Sequence, residues 1–144
     1  MPAAEFSLCS LLFQKLYIND YNIEADNAKL RGLVGPVSRI NKFNPGTIDA
    51  IGMQSHLAVG GSADLEKALL IASDTVKEVA VTEVDIVNAI VTDYVGVVKA
   101  CVAVTKCAGV TIWGISDRDR RATLLLWDSA YKPRPAYHAI INAL

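Results

Sequence analysis

The hydrophobic pattern of the chain changes repeatedly between two periods. Short runs rich in β-branched and aromatic residues, which are typical of strands, occupy positions 15–20, 48–56, 79–86 and 109–116. Between these runs, apolar residues recur at the spacing of one helix face. Strands that alternate with helices predict βαβ units, and therefore a parallel sheet with right-handed crossovers.

Four helices are expected from this spacing. Their apolar faces are formed in turn by Leu30, Leu33, Val34, Val37 and Ile40; by Leu65, Ala68, Leu69 and Ala72; by Val97, Val98, Cys101 and Val102; and by Ala136, Ile140 and Ile141. The first helix is predicted to end at the turn Asn44-Pro45-Gly46. Ser62 is predicted to cap the second helix, Thr92 or Asp93 the third, and the last covers residues 135–144.

The third strand carries two carboxylates close to its end. Its apolar residues, which favour burial on both faces as in a parallel sheet, are Val79, Val81, Val84 and Ile86. Glu83 and Asp85 lie two positions apart in this strand, so alternation points both to the same side. Two acids on one face repel unless hydrogen bonds, a metal or a reaction holds them. The alternative is that both lie in the solvated loop where the strand ends.

Polar or aromatic residues follow all four predicted strands. These strand ends are Asn19-Asp20-Tyr21-Asn22, Gln54-Ser55-His56, Glu83 with Asp85, and Trp113 with Ser116-Asp117. In parallel sheets, open or closed, ligands bind at the carboxyl ends of the strands, so the pattern predicts a site there. Phosphate binding is not expected, because the first turn has no glycine and Gly60-Gly61 is too short a motif.

Composition indicates one domain and excludes several classes of function. The chain has 144 residues, 52% of them hydrophobic, which is ample for a core. A net charge of −1 gives no electrostatic case for binding nucleic acid or an acidic membrane. No apolar run approaches the ~20 residues of a membrane-spanning helix, and residues 1–15 lack the basic leader of a signal peptide. Of the three cysteines, Cys101 and Cys107 can form one small disulfide loop, which leaves Cys9 over.

The strand ends and the tail resemble one known family. The segments LYINDYN (16–22), IDAIGMQSHL (48–57), VTEVDI (81–86), GVTIWGISD (109–117) and LLWDSAYKPRPAY (125–137) are similar, in order, to the second half of glycoside hydrolase family ten. This is the family of retaining endo-β-1,4-xylanases. The resemblance implies an α/β fold, namely strands five to eight of a TIM (β/α)8 barrel, because a whole barrel takes about 250 residues. Residues 15–144 are expected to form this half barrel, and residues 1–14 a segment outside the family pattern.

The resemblance assigns catalytic roles to three residues. Glu83 corresponds to the nucleophile that forms the glycosyl-enzyme intermediate, His56 to a histidine that hydrogen-bonds it, and Asp85 to the acid that orients this histidine. A retaining glycosidase needs one ionised carboxylate and a second, protonated one about 5–5.5 Å away. A donor such as His56 favours the charged form of the nucleophile.

Substrate contacts and the cellular setting are also implied by the resemblance. Gln54 corresponds to a sugar-binding amide, Trp113 to the aromatic floor under the sugar, and Tyr21 and Asn22 to the lining of the cleft. The expected partner is xylan or a xylo-oligosaccharide, with no cofactor and no metal. Cys101 and Cys107 correspond to a disulfide of many fungal members, which implies secretion.

The chain departs from the family pattern in three respects. Nothing in it matches the acid/base glutamate of strand four, nor the earlier His, Asn and Lys residues that bind sugar beside the nucleophile. After Asp117 the family has Ser-Trp and a longer loop, whereas residues 118–124 are shorter and lack the tryptophan. General acid help contributes about 10²–10⁴-fold, so the isolated chain is expected to release little or no reducing sugar from xylan.

Three hypotheses follow. The chain is a truncated xylanase, a non-catalytic carbohydrate-binding or regulatory half barrel, or a structural fragment that completes a barrel with a partner. The second would keep Trp113 and Gln54 but would not need Glu83. The joint presence of Glu83, His56, Gln54 and Asp85 therefore favours the first. A half barrel leaves the strands at 16–20 and 110–115 with unpaired edges, which predicts self-association.

Overall fold

The structure is a computed structural model that describes residues 14–119 and 123–144. Cys9, nearly all of the predicted segment at 1–14 and part of the loop at 118–124 lie outside the described residues. The strands are β1 (Tyr17–Asp20), β2 (Ala50–Met53), β3 (His56–Leu57), β4 (Glu78–Ile86) and β5 (Cys107–Ile112). The helices are α1 (Ala28–Phe43), α2 (Leu65–Ser73), α3 (Val91–Ala103) and α4 (Pro135–Ile141), with short 3-10 turns at Val87–Ala89 and Asp117–Asp119.

The strands form a parallel sheet, as predicted. β2 lies between β1 and β4, β5 also pairs with β4, and the short β3 pairs with β4 near its carboxyl end. All four residues of β2 are buried. Helices separate β1 from β2, β3 from β4 and β4 from β5, which confirms the βαβ order read from the two periods.

The core joins the middle of the sheet to the helices. Its fully buried members include Leu30, Ile51, Leu69, Val79 and Val97, from α1, β2, α2, β4 and α3 respectively. The predicted helix faces are wider than the faces that the helices bury, because their outermost apolar members, Ile40, Val102 and Ile141, are exposed. The last helix ends at Ile141 instead of continuing to residue 144.

Both predicted caps are wrong, and for one shared reason. α2 begins at Leu65 instead of following Ser62, and α3 begins at Val91, which places Thr92 and Asp93 inside its first turn. Ser62 Oγ donates to Asp93 Oδ1 at 2.8 Å, so each side chain is the partner of the other instead of capping its own helix.

The two lateral edges of the sheet are open within the described residues. There, β1 pairs only with β2 and β5 only with β4. Beside β5 runs an apolar groove of about 310 Å³, whose lining includes Val102, Val110 and Leu144. The unpaired edges expected of a half barrel are therefore present in the part of the chain that the structure covers.

A disulfide joins Cys101 to Cys107, with Cα atoms 5.3 Å apart, and so ties the end of α3 to the start of β5. This confirms the predicted pairing. Among residues 14–119 and 123–144, no helix has the length and apolarity required to cross a membrane.

Candidate active site

The polar ends of three strands meet at the carboxyl edge of the sheet. The Gln54 amide donates to the Asp20 carbonyl at 2.9 Å, and the Glu83 amide donates to the Gln54 carbonyl at 2.9 Å. The chain segments that continue β1, β2 and β4 therefore lie side by side at one level. This is the edge on which parallel sheets bind their ligands.

Glu83 contacts side chains from two neighbouring segments. Asn19 Nδ2 donates to Glu83 Oε1 at 2.9 Å. His56 Nε2 lies 3.7 Å from Glu83 Oε2, which is longer than a hydrogen bond. The Asn19 amide therefore orients the Glu83 side chain, which remains 18% exposed and so accessible to a ligand.

Asp85 holds the other nitrogen of the same imidazole ring. His56 Nδ1 lies 2.9 Å from Asp85 Oδ1, and because an ionised carboxylate only accepts, Nδ1 is the donor. The two residues are also partners in the β3–β4 register, and Asp85 is buried. Glu83 and Asp85 thus lie inside β4 and reach the same ring, which excludes the alternative that both stand in a solvated loop.

A bulge in β4 changes the side of the strand on which Glu83 lies. Val81 pairs with Val110 and Val84 with Ile112, so Thr82 and Glu83 on β4 face a single residue of β5. The buried face of the strand therefore moves from the odd positions before the bulge to Val84 and Ile86 after it. Bulges beside sites commonly redirect a side chain in this way. The sequence carried the signal, because its apolar positions shift by one residue at the same place.

Thr82 and Gly52 also contribute to this cluster, and sequence reasoning missed both. Thr82 Oγ1 donates to Asn19 Oδ1 at 2.6 Å, which fixes the amide that binds Glu83. A Cβ at Gly52 would lie 2.6 Å from Asn19 Oδ1 and 2.9 Å from Thr82 Cγ2, so glycine leaves the space that these side chains use across β2. The available signals were Gly52 and Thr82 themselves, a glycine and a hydroxyl residue within largely apolar strands beside the polar end of β1.

Trp113 and Gln54 lie next to the cluster. The Trp113 ring meets the His56 ring edge to face, with centroids 6.1 Å apart, and 45% of the residue is exposed. Its amide donates to the Val84 carbonyl at 2.9 Å, which places it at the end of β5 beside Glu83 and Asp85. Gln54 is half-buried and adjoins Glu83 through their backbone hydrogen bond.

Tyr21 and Asn22 follow β1 at the rim. Tyr21 is exposed, and the Lys29 ammonium lies 3.8 Å from its ring centroid. Asn22, in the left-handed region at φ 56, shares with His56 the lining of a cavity of about 430 Å³. Both residues therefore lie on the predicted side of the sheet, while their described contacts are with the β1–α1 loop and α1 instead of with Glu83.

The donor set of the cluster does not form a metal site. In the described ranges, no group of three or more His, Cys, Asp or Glu side chains is arranged to hold an ion. The geometry instead presents one carboxylate, Glu83, which the Asn19 amide binds and the His56 imidazole approaches to 3.7 Å, beside the exposed indole of Trp113. The fold and this cluster together define an α/β protein with an acidic site at the carboxyl ends of parallel strands.

Comparison with known proteins gives the family. A sequence model described as "Glycosyl hydrolase family 10" matches residues 13–143. "Endo-1,4-beta-xylanase 3" of Hypocrea jecorina is 48% identical over 136 residues, which cover 90% of this chain and 39% of that protein. "Endo-1,4-beta-xylanase 2" of Claviceps purpurea is 37% identical over 131 residues, covering 88% of this chain and 40% of the relative.

Solved structures agree in fold. A psychrophilic glycoside hydrolase family 10 endo-β-1,4-xylanase superimposes with a TM-score of 0.82 at 31% identity, over 96% of this chain and 48% of that one. A glycosylated family 10 xylanase from Gloeophyllum trabeum gives a TM-score of 0.79 at 37% identity, over 90% and 46% of the two chains. The chain belongs to glycosyl hydrolase family 10, a TIM-barrel family, and it spans about two fifths of these curated relatives and about half of these solved chains.

Proposed function

We propose that this chain carries the nucleophile side of a retaining endo-β-1,4-xylanase site that acts on xylan or xylo-oligosaccharides. The observation that carries the proposal is the fixed arrangement of Glu83 between Asn19 and His56, with Asp85 on the far nitrogen of His56. Glu83 is the nucleophile, His56 and Asp85 are its supports, and Trp113 and Gln54 receive the sugar. Tyr21 and Asn22 extend the cleft along the rim.

The chemistry follows from these positions. A Glu83 oxygen attacks the anomeric carbon and the bond to the leaving oxygen breaks, which gives a glycosyl ester that water later hydrolyses. The Asn19 amide and the His56 ring limit the directions that the carboxylate can take, so less orientation is lost at the moment of attack. The exposed indole of Trp113 offers an apolar face to a pyranose ring.

We infer that protonation of the leaving oxygen requires a carboxylic acid from outside the described residues. The acid/base residue of the family is a glutamate, and the described glutamates other than Glu83 lie elsewhere: Glu24 binds the Ser55 amide, Glu66 lies in the first turn of α2, and Glu78 lies at the opposite end of β4. In this proposal, residues 15–144 correspond to strands five to eight of the family barrel and residues 1–14 lie outside it. The Cys101–Cys107 disulfide supports a secreted protein, because such bonds persist in oxidising compartments.

The test uses a substrate whose leaving group needs no proton, 2,4-dinitrophenyl β-xylobioside. We expect the folded chain to release dinitrophenolate and to retain a xylobiosyl ester on Glu83, which peptide mass spectrometry locates. Unsubstituted xylan should yield little or no reducing sugar from the same preparation, because general acid catalysis is missing.

The matched controls are two carboxylates of the same strand. Glu83→Gln should reduce ester formation by at least roughly 10⁴-fold, the scale on which removal of one member of a catalytic unit acts. Glu78→Gln, at the other end of β4, should leave it unchanged. If xylo-oligosaccharides bind while no ester forms on a cooperatively folded chain, the protein is a carbohydrate-binding half barrel and the enzymatic proposal is wrong.

We also propose that the chain associates with a second copy of itself through its open edges. β1 and β5 each have one strand partner within the described residues. Exposed Leu16 directly precedes β1, and Val102 and Leu144 line the apolar groove beside β5. A two-fold arrangement would place each β1 edge against the partner's β5 edge. Light scattering at micromolar concentration should give a dimer or larger species, and a monodisperse monomer with cooperative melting would contradict this.

A further inference from the structure

Glu24 is a buried carboxylate that the proposed chemistry does not use. It lies in the loop between β1 and α1 with only 7% of the residue exposed. Its Oε1 accepts the Ser55 amide at 2.7 Å. A carboxylate is costly to bury. The partner of this one is a backbone amide in the turn between β2 and β3, next to the site.

The Ser55 amide needs such a partner because the chain turns at this residue. Ser55 is fully buried and has φ 66, in the left-handed region that non-glycine residues rarely adopt. Gln54, just before it, still belongs to the β2 ladder through its backbone bonds to Asp20 and Glu83. His56, just after it, starts β3 and pairs with Asp85. The turn therefore sets the direction in which the His56 ring leaves the sheet.

A second buried carboxylate holds the far end of the same segment. Asp93 accepts the Gly60 amide and the Ser62 hydroxyl, both at 2.8 Å. Burial acts to raise the pKa of Asp93, but the hydrogen bonds from Gly60 and Ser62 outweigh it and lower that pKa. The segment that begins with His56 is thus anchored at Ser55 by Glu24 and at Gly60 and Ser62 by Asp93.

We propose that Glu24 is a positioning residue, which holds His56 against Asp85 by binding the Ser55 amide in its left-handed conformation. The inference deepens the proposed function, since His56 matters for catalysis only if Glu83 is the nucleophile. Asp93 fastens the same loop five residues further on, at Gly60, and stabilises the fold without setting the ring. The two carboxylates are therefore a matched pair with different expected readouts.

The experiment measures the His56 ring itself and needs no sugar. The chain has two histidines, so long-range ¹H–¹⁵N spectra resolve His56 with His138 as an internal reference. Recorded where the imidazoles are neutral, the parent chain should show a protonated Nδ1 on His56, as the bond to Asp85 requires. In Glu24→Ala, we expect the Nδ1 signal to move toward the average of the two tautomers, while Glu24→Gln, which keeps an acceptor, should resemble the parent.

Asp93→Ala is the structural control. It should lower Tm by several degrees and leave the His56 nitrogen signals in place. If Glu24→Ala lowers Tm in the same way but does not move the His56 signals, Glu24 is merely structural and the proposal is wrong. The position of these signals does not depend on whether any ester forms on Glu83, so failure of the proposed chemistry is distinguished from failure of this inference.

A rescue variant covers the case in which Glu24→Ala melts without a cooperative transition. Glycine adopts positive φ without the cost that serine bears, so Ser55→Gly should favour the turn without help from Glu24. We expect the double variant Glu24→Ala/Ser55→Gly to melt cooperatively and to regain the protonated Nδ1 of His56. A folded double variant whose ring stays in mixed tautomers, or one that does not fold, would contradict the proposed role of the Ser55 turn.

Discussion

The two ends of β4 each carry a glutamate, and their surroundings differ in kind. Glu78, at the amino end, is bound by the Lys15 ammonium and the Tyr17 hydroxyl. Glu83, near the carboxyl end, is bound by the Asn19 amide, with the His56 ring next to it. Tyr17 and Asn19 share one face of β1, so a single strand supplies a partner to both acids.

This difference fits a stabilising role for Glu78 and the proposed catalytic role for Glu83. The hydrogen bond from Lys15 is the first cause that lowers the pKa of Glu78, and the bond from Tyr17 adds to it. A carboxylate engaged by a cation in this way is a poor nucleophile, because attack would break the ion pair. Glu83 has no lysine or arginine within salt-bridge distance among the described residues, so its attack would break no such pair. In TIM barrels, active sites lie at the carboxyl ends of the strands, and the opposite face contributes to stability. The ion-paired Glu78 at the amino end and Glu83 near the carboxyl end fit this division.

After Glu83→Gln itself, the largest effect at the carboxyl end is expected from Gly52→Ala. The added Cβ would displace Asn19 and Thr82, since it would lie 2.6 Å and 2.9 Å from their atoms. Loss of the Asn19 bond misplaces Glu83, and ester formation with the dinitrophenyl xylobioside should fall by about 10²-fold. Gly32→Ala, at a helical position with open space, is the control and should not change this rate. An unchanged rate in Gly52→Ala would show that Asn19 does not orient the nucleophile.

At the amino end, removal of the disulfide should lower the free energy of unfolding and leave the rate of ester formation unchanged. Cys107 opens β5 and pairs with Val79 near the start of β4, far along the strand from Glu83. For so short a loop, Cys101→Ser/Cys107→Ser should lower the free energy of unfolding by about 2 kcal/mol in urea titrations. Ester formation measured well below the transition should be unaffected, with Cys9→Ser as the matched loss of a thiol. A slower reaction in the folded double variant would show that the two ends are coupled.

Glu78→Gln should change how the free energy of unfolding falls as the pH is lowered, that is, the acid limb of the stability curve. Because the folded-state pKa of Glu78 lies below its unfolded value, its contribution is complete above the unfolded pKa and is lost as pH falls through the folded one. The variant should therefore be less stable by about 1 kcal/mol or less at pH 7 and should show a shallower decline in acid. Urea midpoints between pH 7 and pH 3 test this, and parallel acid limbs in the two proteins would be the contrary result.

The smallest effect is expected from Tyr17→Phe on the alkaline limb. Burial, followed by the bond to Glu78, raises the pKa of Tyr17 from 10.0 to about 12. The stability that neutral Tyr17 contributes is complete below its unfolded pKa and is lost as pH rises toward its folded one. Phenylalanine cannot ionise, so the variant should lose less stability over this interval. Thermal melts compared across it should diverge, and identical alkaline declines would count against the raised pKa.

The sequence predicted much of the fold because strand and helix periods are local properties. The parallel order, the disulfide and the joint approach of Glu83 and Asp85 to His56 all followed from such patterns or from the family resemblance. The caps failed since Ser62 and Asp93 bind each other, a contact between residues distant in the chain. The role of Glu24 could not be predicted for a similar reason. Its partner is the backbone amide of Ser55, and every residue except proline has such an amide, so the residue type gives no signal.

Because of the bulge at Thr82 and Glu83, the direction of the proposed nucleophile depends on the number of residues in the strand. Between the pairs Val81–Val110 and Val84–Ile112, β4 contains one residue more than β5, whereas between Val79–Cys107 and Val81–Val110 it contains one fewer. Deleting Thr82 would remove the bulge of β4 and leave the extra residue of β5 uncompensated, so Glu83 and Val84 could not both keep their present sides of the strand. Insertions and deletions are commonly tolerated in loops. At this point in β4, by contrast, a change of one residue would move the Glu83 carboxylate to another position.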